Sequence, residues 1–202
     1  MSQAITIFWF RRDLRLHDNA ALWSALKSGN PVLPIFIFDK AILDLLPKKD
    51  ARVEFIHQEI AAMKAVLESK GSSLRMFYST PNEVFKQLTE EYNIAEVWTN
   101  RDYEPYAQER DKTIFELLQE KNIVFKGAKD HVIFEKDEVT KDDKKPYTVF
   151  TPYSRKWKAL LKPYHYKAYP NEKYENAYIK TSPFENITLS SMGFEASGVE
   201  IP

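Results

Sequence analysis

The stretch ITIFWF at residues 5–10 is a continuous apolar run of β-branched and aromatic residues. Such a run is typical of a strand that is buried on both faces, as in a parallel sheet. The stretch VLPIFIF at residues 32–38 has the same character, with Pro34 as the one residue that disfavours a central strand. Shorter strands are predicted at residues 74–78, 96–99 and 124–126.

Helical patterns alternate with these strands, over residues 19–27, 52–69, 80–92 and 106–121. Asp50 is placed to cap the second helix, and Thr80 and Glu83 have the spacing of a capping box at the third. The regular alternation predicts an α/β domain over residues 1–130, a doubly wound five-stranded parallel sheet of order 3-2-1-4-5 with helices on both faces. It disfavours the alternative, an α+β fold with an antiparallel sheet.

The sequence changes character after residue 130. We predict an extension over residues 131–181, with a short extra strand at residues 132–134 and a short helix at residues 151–161. Residues 182–202 have no periodic apolar face, which indicates an irregular linker to something outside the chain. The apolar residues expected to pack back onto the domain are Phe184, Leu189, Met192 and Phe194.

Composition excludes several classes of protein. Hydrophobic residues make up 44% of the 202 residues, enough for a core, so the chain is not disordered as a whole. There is no cysteine and therefore no disulfide or thiolate metal site, which fits a cytoplasmic protein. No apolar run is long enough to span a membrane. Neither common glycine-rich phosphate motif is present.

Charged residues follow three of the predicted strands. Ligands of doubly wound sheets bind beyond the carboxyl ends of the strands, where the strand order reverses. Arg11 and Arg12 follow the first strand, and Asp102 and Glu104 follow the fourth, which is its predicted neighbour. Asp39 follows the second strand. These groups either bind a polar, flat or anionic cofactor in the crevice or pair with one another and cap helices.

A basic aromatic stretch covers residues 144–173, with eight lysines and arginines, one acidic residue and seven aromatic residues. Lysines contact phosphates and aromatic rings stack on bases, so the stretch is a candidate nucleic-acid surface. The alternative is a solvated surface, or an interface to a missing domain. The four histidines lack metal-ligand spacing and no nucleophile elbow is present, so an enzyme would need a cofactor or another domain.

Four motifs resemble those of the DNA photolyase/cryptochrome family. FWFRRDLRLHDN at residues 8–19 resembles the opening signature of the family, and NRDYEPYAQERD at residues 100–111 resembles its loop after the fourth strand. PYTVFTPYSRKW at residues 146–157 resembles the segment leading out of the antenna domain, and MGF at residues 192–194 resembles the linker before the flavin domain. The motifs follow one another in the order of the family.

The resemblance implies an N-terminal domain that holds a light-harvesting antenna chromophore. FAD and most of the DNA site would lie in a C-terminal domain absent from this chain, which would then be a fragment without activity of its own. The full protein is expected to be a monomeric, FAD-dependent deoxyribodipyrimidine photolyase that binds damaged DNA and splits cyclobutane dimers. The alternatives are the N-terminal domain of a cryptochrome and an independent nucleic-acid-binding module. Residues that would distinguish a photolyase from a cryptochrome, or cyclobutane from (6-4) lesions, lie in the missing domain.

The resemblance also bears on the antenna. Folate-binding members carry an Asn-Glu pair where this chain has Tyr106 and Ala107, and a histidine where it has Pro47. The arrangement of Asp102 and Glu104 is more similar to the deazaflavin-type branch. We therefore expect a deazaflavin or a flavin (FMN or FAD), or no chromophore at all, rather than folate. The residues expected to bind it are Arg11, Phe38, Asp39, Arg52, Asp102, Glu104, Tyr106 and Arg110.

Overall fold

A computed structural model describes residues 3–199 of the chain. Five parallel strands form one sheet in the order β3-β2-β1-β4-β5, which confirms the predicted fold class and strand order. The strands are β1 Ile5–Phe10, β2 Val32–Asp39, β3 Arg75–Ser79, β4 Ile94–Asn100 and β5 Val124–Ala128. The α-helices are α1 Ala20–Leu26, α2 Lys40–Leu43, α3 Ala51–Ser69, α4 Pro81–Glu91, α5 Pro105–Glu120 and α6 Phe150–Leu160.

The sheet is buried on both faces because β1 directs apolar side chains alternately to each. Phe8 and Phe10 belong to the core cluster under α1 and α3, whereas Ile7 and Trp9 belong to the cluster under α4 and α5. Every residue of β1 and β2 is buried. This explains why both strands are continuous apolar runs in the sequence rather than alternating ones.

Pro34 is accommodated in β2 without interrupting the sheet. It pairs with Phe8 of β1, whereas the pairing of β2 with β3 begins only at Ile35. At the level of Pro34 the strand therefore has one neighbour, which is a position where a missing backbone N–H is tolerated.

Side chains cap the helices where the sequence predicted. The Asp50 carboxylate accepts a hydrogen bond from the Arg52 backbone N–H at the start of α3. Thr80 and Glu83 form the predicted capping box of α4. The single turn α2 was not predicted; it begins because the Asp39 carboxylate accepts a hydrogen bond from the Ala41 backbone N–H.

The chain beyond β5 differs from the prediction in one element. Residues 132–134 do not form a strand. Phe134 instead packs its ring against those of Trp157 and His165, with centroids 5.4 and 4.8 Å apart. The predicted short helix is α6. Short 3₁₀ helices lie at Lys136–Glu138, Pro163–Tyr166, Asn171–Ala177 and Ser190–Met192.

The C-terminal segment, residues 179–199, runs back over the sheet domain. Met192 and Phe194 are buried in the cluster under α1 and α3, while Leu189 packs at its margin and Phe184 packs against the opposite cluster. The predicted packing of these four residues is thus confirmed, and residues 200–202 lie outside the described part.

The division of the chain at residues 130 and 181 stays a prediction. Among residues 3–199, no helix combines the length and apolarity needed to cross a membrane.

Candidate functional site

The carboxyl ends of β1 and β4 are joined by a buried polar network. The Asp13 carboxylate is 2% exposed and accepts hydrogen bonds from the Arg11 backbone N–H at 3.0 Å, from Asn19 Nδ2 at 2.9 Å and from Asn100 Nδ2 at 2.5 Å. Asn100 Oδ1 in turn accepts a bond from the Ala21 backbone N–H of α1. The opening motif therefore fixes the two strand ends and α1 relative to one another.

An open cavity lies beside this network, at the carboxyl ends of β1, β2 and β4. This is the place where strand order reverses, and where ligands of doubly wound sheets bind. Apolar side chains from β1, β2, α2 and α3 form its walls, and charged side chains from the end of β2, from α5 and from the loops after β1 and β4 line its remaining surface. The apolar wall residues are Trp9, Phe10, Phe36, Ile37, Phe38, Ile42, Leu43, Val53 and Ile56.

One group of charges at the cavity belongs to Arg12, Asp102 and Glu104. Arg12 Nε lies 3.0 Å from Asp102 Oδ2, and Arg12 Nη2 lies 2.5 Å from Glu104 Oε2. The Asp102 side chain is only 9% exposed. Burial opposes its ionisation, but the Glu104 backbone N–H and the charges of Arg12 and Arg11 outweigh that effect, so the pKa of Asp102 lies below its ordinary value. Asp102 is thus held as a carboxylate at the cavity wall.

A second group of charged side chains includes two arginines, Arg11 and Arg110, that lie close to the Trp9 ring. The guanidinium carbons of Arg11 and Arg110 lie 5.0 and 4.8 Å from the Trp9 ring centroid, and both side chains contact the Asp111 carboxylate. The Arg11 side chain is 5% exposed, and its Nη2 donates to the Asn100 carbonyl. Within residues 3–199, Arg11 Nε is buried and has no hydrogen-bond partner.

A third contact joins β2 to α5 across the cavity. The Tyr106 hydroxyl donates a hydrogen bond to Asp39 Oδ2 at 2.6 Å. Burial, and then this bond to a carboxylate, raise the pKa of Tyr106 above its ordinary value, so the phenol stays protonated. The Asp39 carboxylate therefore caps α2 with one oxygen and fixes Tyr106 with the other.

The structure brings seven of the eight expected binding residues to this cavity. They are Arg11, Phe38, Asp39, Asp102, Glu104, Tyr106 and Arg110. Arg52 is not among the lining residues, because its 74% exposed side chain turns back to form a two-pronged ion pair with Asp50. The expectation that both arginines after β1 face Asp102 and Glu104 is met by Arg12, whereas Arg11 pairs with Asp111.

Sequence reasoning missed part of the wall. Val53 and Ile56 lie in the predicted helix over residues 52–69 but were not expected at the site, and Ile42 and Leu43 lie in a turn of helix that was not predicted. All four residues follow the carboxyl end of β2 in the chain, and this was the sequence signal that could have placed them at the site. Ala107 lines the cavity because α5 begins at Pro105, directly after the loop that carries Asp102.

These residues suit a flat, largely apolar molecule with a polar edge. The walls are aliphatic and aromatic, and Asp102 offers a hydrogen-bond acceptor at their edge. A concave site with mostly apolar walls and a few polar groups is typical of small-molecule sites. Among the described residues no cluster of His, Asp or Glu could hold a metal ion.

The sequence model that describes the DNA photolyase family matches residues 6–173 of the chain. Deoxyribodipyrimidine photo-lyase of Agrobacterium fabrum is 30% identical over 160 residues, which cover 79% of this chain and 32% of that protein. Relatives named cryptochrome-1 from the birds Erithacus rubecula and Sylvia borin are also 30% identical, over 133 residues. The chain thus spans about a third of the length of the photolyase relative.

Two solved structures share the fold. A bacterial class III photolyase from Agrobacterium tumefaciens superposes with a TM-score of 0.76 at 27% identity, covering 94% of this chain and 38% of that one. An archaeal photolyase from Sulfolobus tokodaii, described with two FAD molecules and a novel light-harvesting cofactor, superposes with a TM-score of 0.59 at 33% identity. That match covers 64% of this chain and 30% of the archaeal chain.

Proposed function

This chain belongs to the DNA photolyase family, and on that basis we propose that it is the antenna domain of a deoxyribodipyrimidine photolyase, with a flat heteroaromatic chromophore bound in the cavity at the strand ends. The observation that carries the proposal is the cavity itself, which combines apolar walls with a buried carboxylate at the switch point of the sheet. When bound, the chromophore would supply absorption of light and pass the excitation on. The residues of this chain would bind, orient and shield it.

Each group at the cavity has a role in holding such a ring. Asp102 would accept a hydrogen bond from the polar edge of the ring, and Arg12 keeps that carboxylate in place. The pair of Asp39 and Tyr106 would fix the width of the slot between β2 and α5. A rigid site of this kind suits an antenna, because energy transfer through space requires a fixed position and no proton transfer.

A deazaflavin or a flavin fits these residues better than folate. The chain has Tyr106 and Ala107 where folate-binding members carry an Asn-Glu pair, and the hydroxyl of Tyr106 is already engaged by Asp39. The archaeal photolyase, 33% identical to this chain over the matched part, is described with two FAD molecules that imply a novel light-harvesting cofactor. We therefore propose a flavin-type antenna for this chain.

Binding of the chromophore is tested by titrating FMN and a 5-deazaflavin into the wild type and Asp102→Asn. The substitution keeps the size of the side chain and removes its charge. Loss of a hydrogen bond to a charged group costs about 1.5–3 kcal/mol, so the dissociation constant should rise by about one to two orders of magnitude. Asp137→Asn is the matched control, because Asp137 is an exposed aspartate that does not line the cavity. Equal affinity of Asp102→Asn and the wild type would remove Asp102 from the site.

The enzymatic part of the proposal concerns a longer protein. We propose that the product of the open reading frame that encodes this chain, read to its stop codon, reverses cyclobutane pyrimidine dimers in light, as a lyase that uses FAD from a C-terminal domain. The assay is loss of dimers from irradiated DNA in blue light and in darkness. Light-dependent loss supports a photolyase. A flavin-containing product that absorbs light but leaves the dimers intact would instead favour the cryptochrome alternative.

A further inference from the structure

A basic aromatic surface is formed by α6 and the turn that follows it. The α6 surface is defined as residues 150–167. These residues include five lysines and arginines and no acidic residue, although the whole chain has a formal net charge of zero. The excess of positive charge is therefore local in the sequence. In the structure it is greatest on α6, because Tyr164, Tyr166 and Lys167 line a cavity together with Asp18, Asp130 and Glu138. An anionic partner would be attracted to α6 in particular.

Most of this charge is not neutralised within the protein. Arg155, Lys158, Lys162 and Lys167 are exposed, and no carboxylate among residues 3–199 forms an ion pair with any of them. Lys156 is the exception, with a long contact of 3.6 Å to Asp142. Arg155 and Lys158 are three positions apart on α6 and so lie on the same face of the helix.

The helix is attached by its other face. The Trp157 ring packs against Phe134, and Phe134 also contacts His165 of the following turn. None of the residues of α6 is buried. The cluster of Phe134, Trp157 and His165 thus anchors α6 and the turn together and leaves the basic face outward.

Exposed aromatic rings accompany the charges. Phe150, Tyr164 and Tyr166 are 78%, 71% and 64% exposed, whereas large aromatic side chains are mostly buried in folded proteins. Interleaved cations and exposed rings are the combination with which proteins bind single-stranded nucleic acid, because lysines contact phosphates while unpaired bases stack on the rings.

We propose that the α6 surface binds single-stranded nucleic acid without regard to sequence or lesion, through phosphate contacts of Arg155, Lys158, Lys162 and Lys167 and stacking on Tyr164 and Tyr166. This inference is independent of the antenna and of any photoreaction. Binding is measured in darkness and without flavin, so its failure leaves the proposed function untouched.

The test is fluorescence anisotropy of the full 202-residue chain with labelled oligothymidylate of about 16 nucleotides, and with a duplex of equal length. Four neutralised phosphates predict a log–log salt slope of about −3 for a single strand, so binding should weaken about fifty-fold between about 50 and 200 mM salt. The duplex should bind more weakly than the single strand, because its bases are not available for stacking.

Two variants with a matched control assign binding to the surface. Arg155→Glu/Lys158→Glu should weaken binding at least tenfold at low salt. Lys86→Glu/Lys121→Glu changes the net charge by the same amount on exposed lysines elsewhere, and should leave the affinity within about twofold. Tyr164→Ala/Tyr166→Ala should weaken single-strand binding about tenfold or more while the salt slope stays the same. Melting temperatures of all variants report whether they remain folded.

Three results would overturn the proposal. One is equal weakening by the two charge-reversal variants, which would indicate general electrostatics only. Another is binding that is insensitive to salt. The third is concentration-dependent self-association that the tyrosine variant abolishes while oligonucleotide binding is unchanged, since the surface would then be an interface between copies of the chain.

Discussion

At the scale of single residues, the charged side chains of the opening motif make two different sets of contacts. Asp13 and Arg11 tie β1 to β4, because Asp13 binds Asn100 and Asn19 while Arg11 reaches the Asn100 carbonyl. Arg12 instead turns to the cavity and holds Asp102. Adjacent residues in one motif therefore differ in position, one joining the strand ends and the other lining the cavity, which their residue types alone do not distinguish.

The role of Asp13 leads to a prediction about stability. In Asp13→Ala, Asn19 Nδ2, Asn100 Nδ2 and the Arg11 backbone N–H lose their shared acceptor in a buried place. A buried donor left without a partner costs about 1–3 kcal/mol, so the free energy of unfolding should fall by about 3 kcal/mol or more. Denaturant titration measures this. A loss below about 1 kcal/mol, similar to that of exposed Asp137→Ala, would show that the network contributes little.

At the scale of elements, helix starts were predictable wherever a local signal sets them. Asp50, Thr80 and Glu83 cap α3 and α4 as their spacing indicated, since capping involves residues a few positions apart. The prediction of a strand at residues 132–134 was wrong, because a run of three apolar residues does not indicate which part of the protein it packs against. Phe134 packs against Trp157 instead of joining the sheet edge. The pairing of Arg11 with Asp111 spans a hundred positions and carries no local signal.

The cap of α3 gives a prediction that depends on pH. The Arg52 guanidinium, by its hydrogen bonds to Asp50, lowers the pKa of that carboxyl from its ordinary value of 3.8 to about 2. Because the folded state holds the proton less tightly than the unfolded state, the contribution of Asp50 is complete above about pH 4 and declines as the pH falls toward 2.

Asp50→Ala should therefore lower the free energy of unfolding by about 1 kcal/mol at pH 7, the typical value of an N-cap. The difference from the wild type should shrink as the pH falls below about 4, toward the pKa of the cap. Denaturation curves at pH 7 and at about pH 3 provide the measurement. A difference that is constant over this range would mean that the charge of Asp50 has no part in the cap.

At the scale of the whole molecule, the C-terminal segment is held against the sheet domain by polar and apolar contacts together. Lys64 of α3 is 3% exposed, and its Nζ donates to the Phe184 carbonyl and to Asn186 Oδ1, both at 2.5 Å. His57 Nε2 lies 2.8 Å from the Ile187 carbonyl. The backbone N–H of Ile179 binds the Val32 carbonyl beside the start of β2. The segment is irregular in backbone but fixed in place.

This attachment predicts that the segment contributes to global stability. Phe194 is 6% exposed in the core cluster, and Phe→Ala changes at buried sites cost about 3–5 kcal/mol. Phe194→Ala should lower the free energy of unfolding by about that amount, whereas Val199→Ala, at a residue that is 58% exposed, should change it by less than about 0.5 kcal/mol. If both variants unfold like the wild type, the segment is not part of the cooperative unit.

The central claim is that the cavity at the strand ends holds a flat chromophore, and steric blocking tests it most directly. Ile42 lines the cavity and is 44% exposed, so Ile42→Trp would fill the mouth of the slot without disturbing the core. Leu45 lies three positions along the chain, is 83% exposed and does not line the cavity, which makes Leu45→Trp the matched control.

The measurement is equilibrium titration of FMN and a 5-deazaflavin into the three proteins. We expect the wild type and Leu45→Trp to bind at least one of the two compounds with the same affinity, and Ile42→Trp to bind it at least tenfold more weakly. Undiminished binding by Ile42→Trp would place the chromophore elsewhere, and failure of the wild type to bind either compound would contradict the antenna role itself.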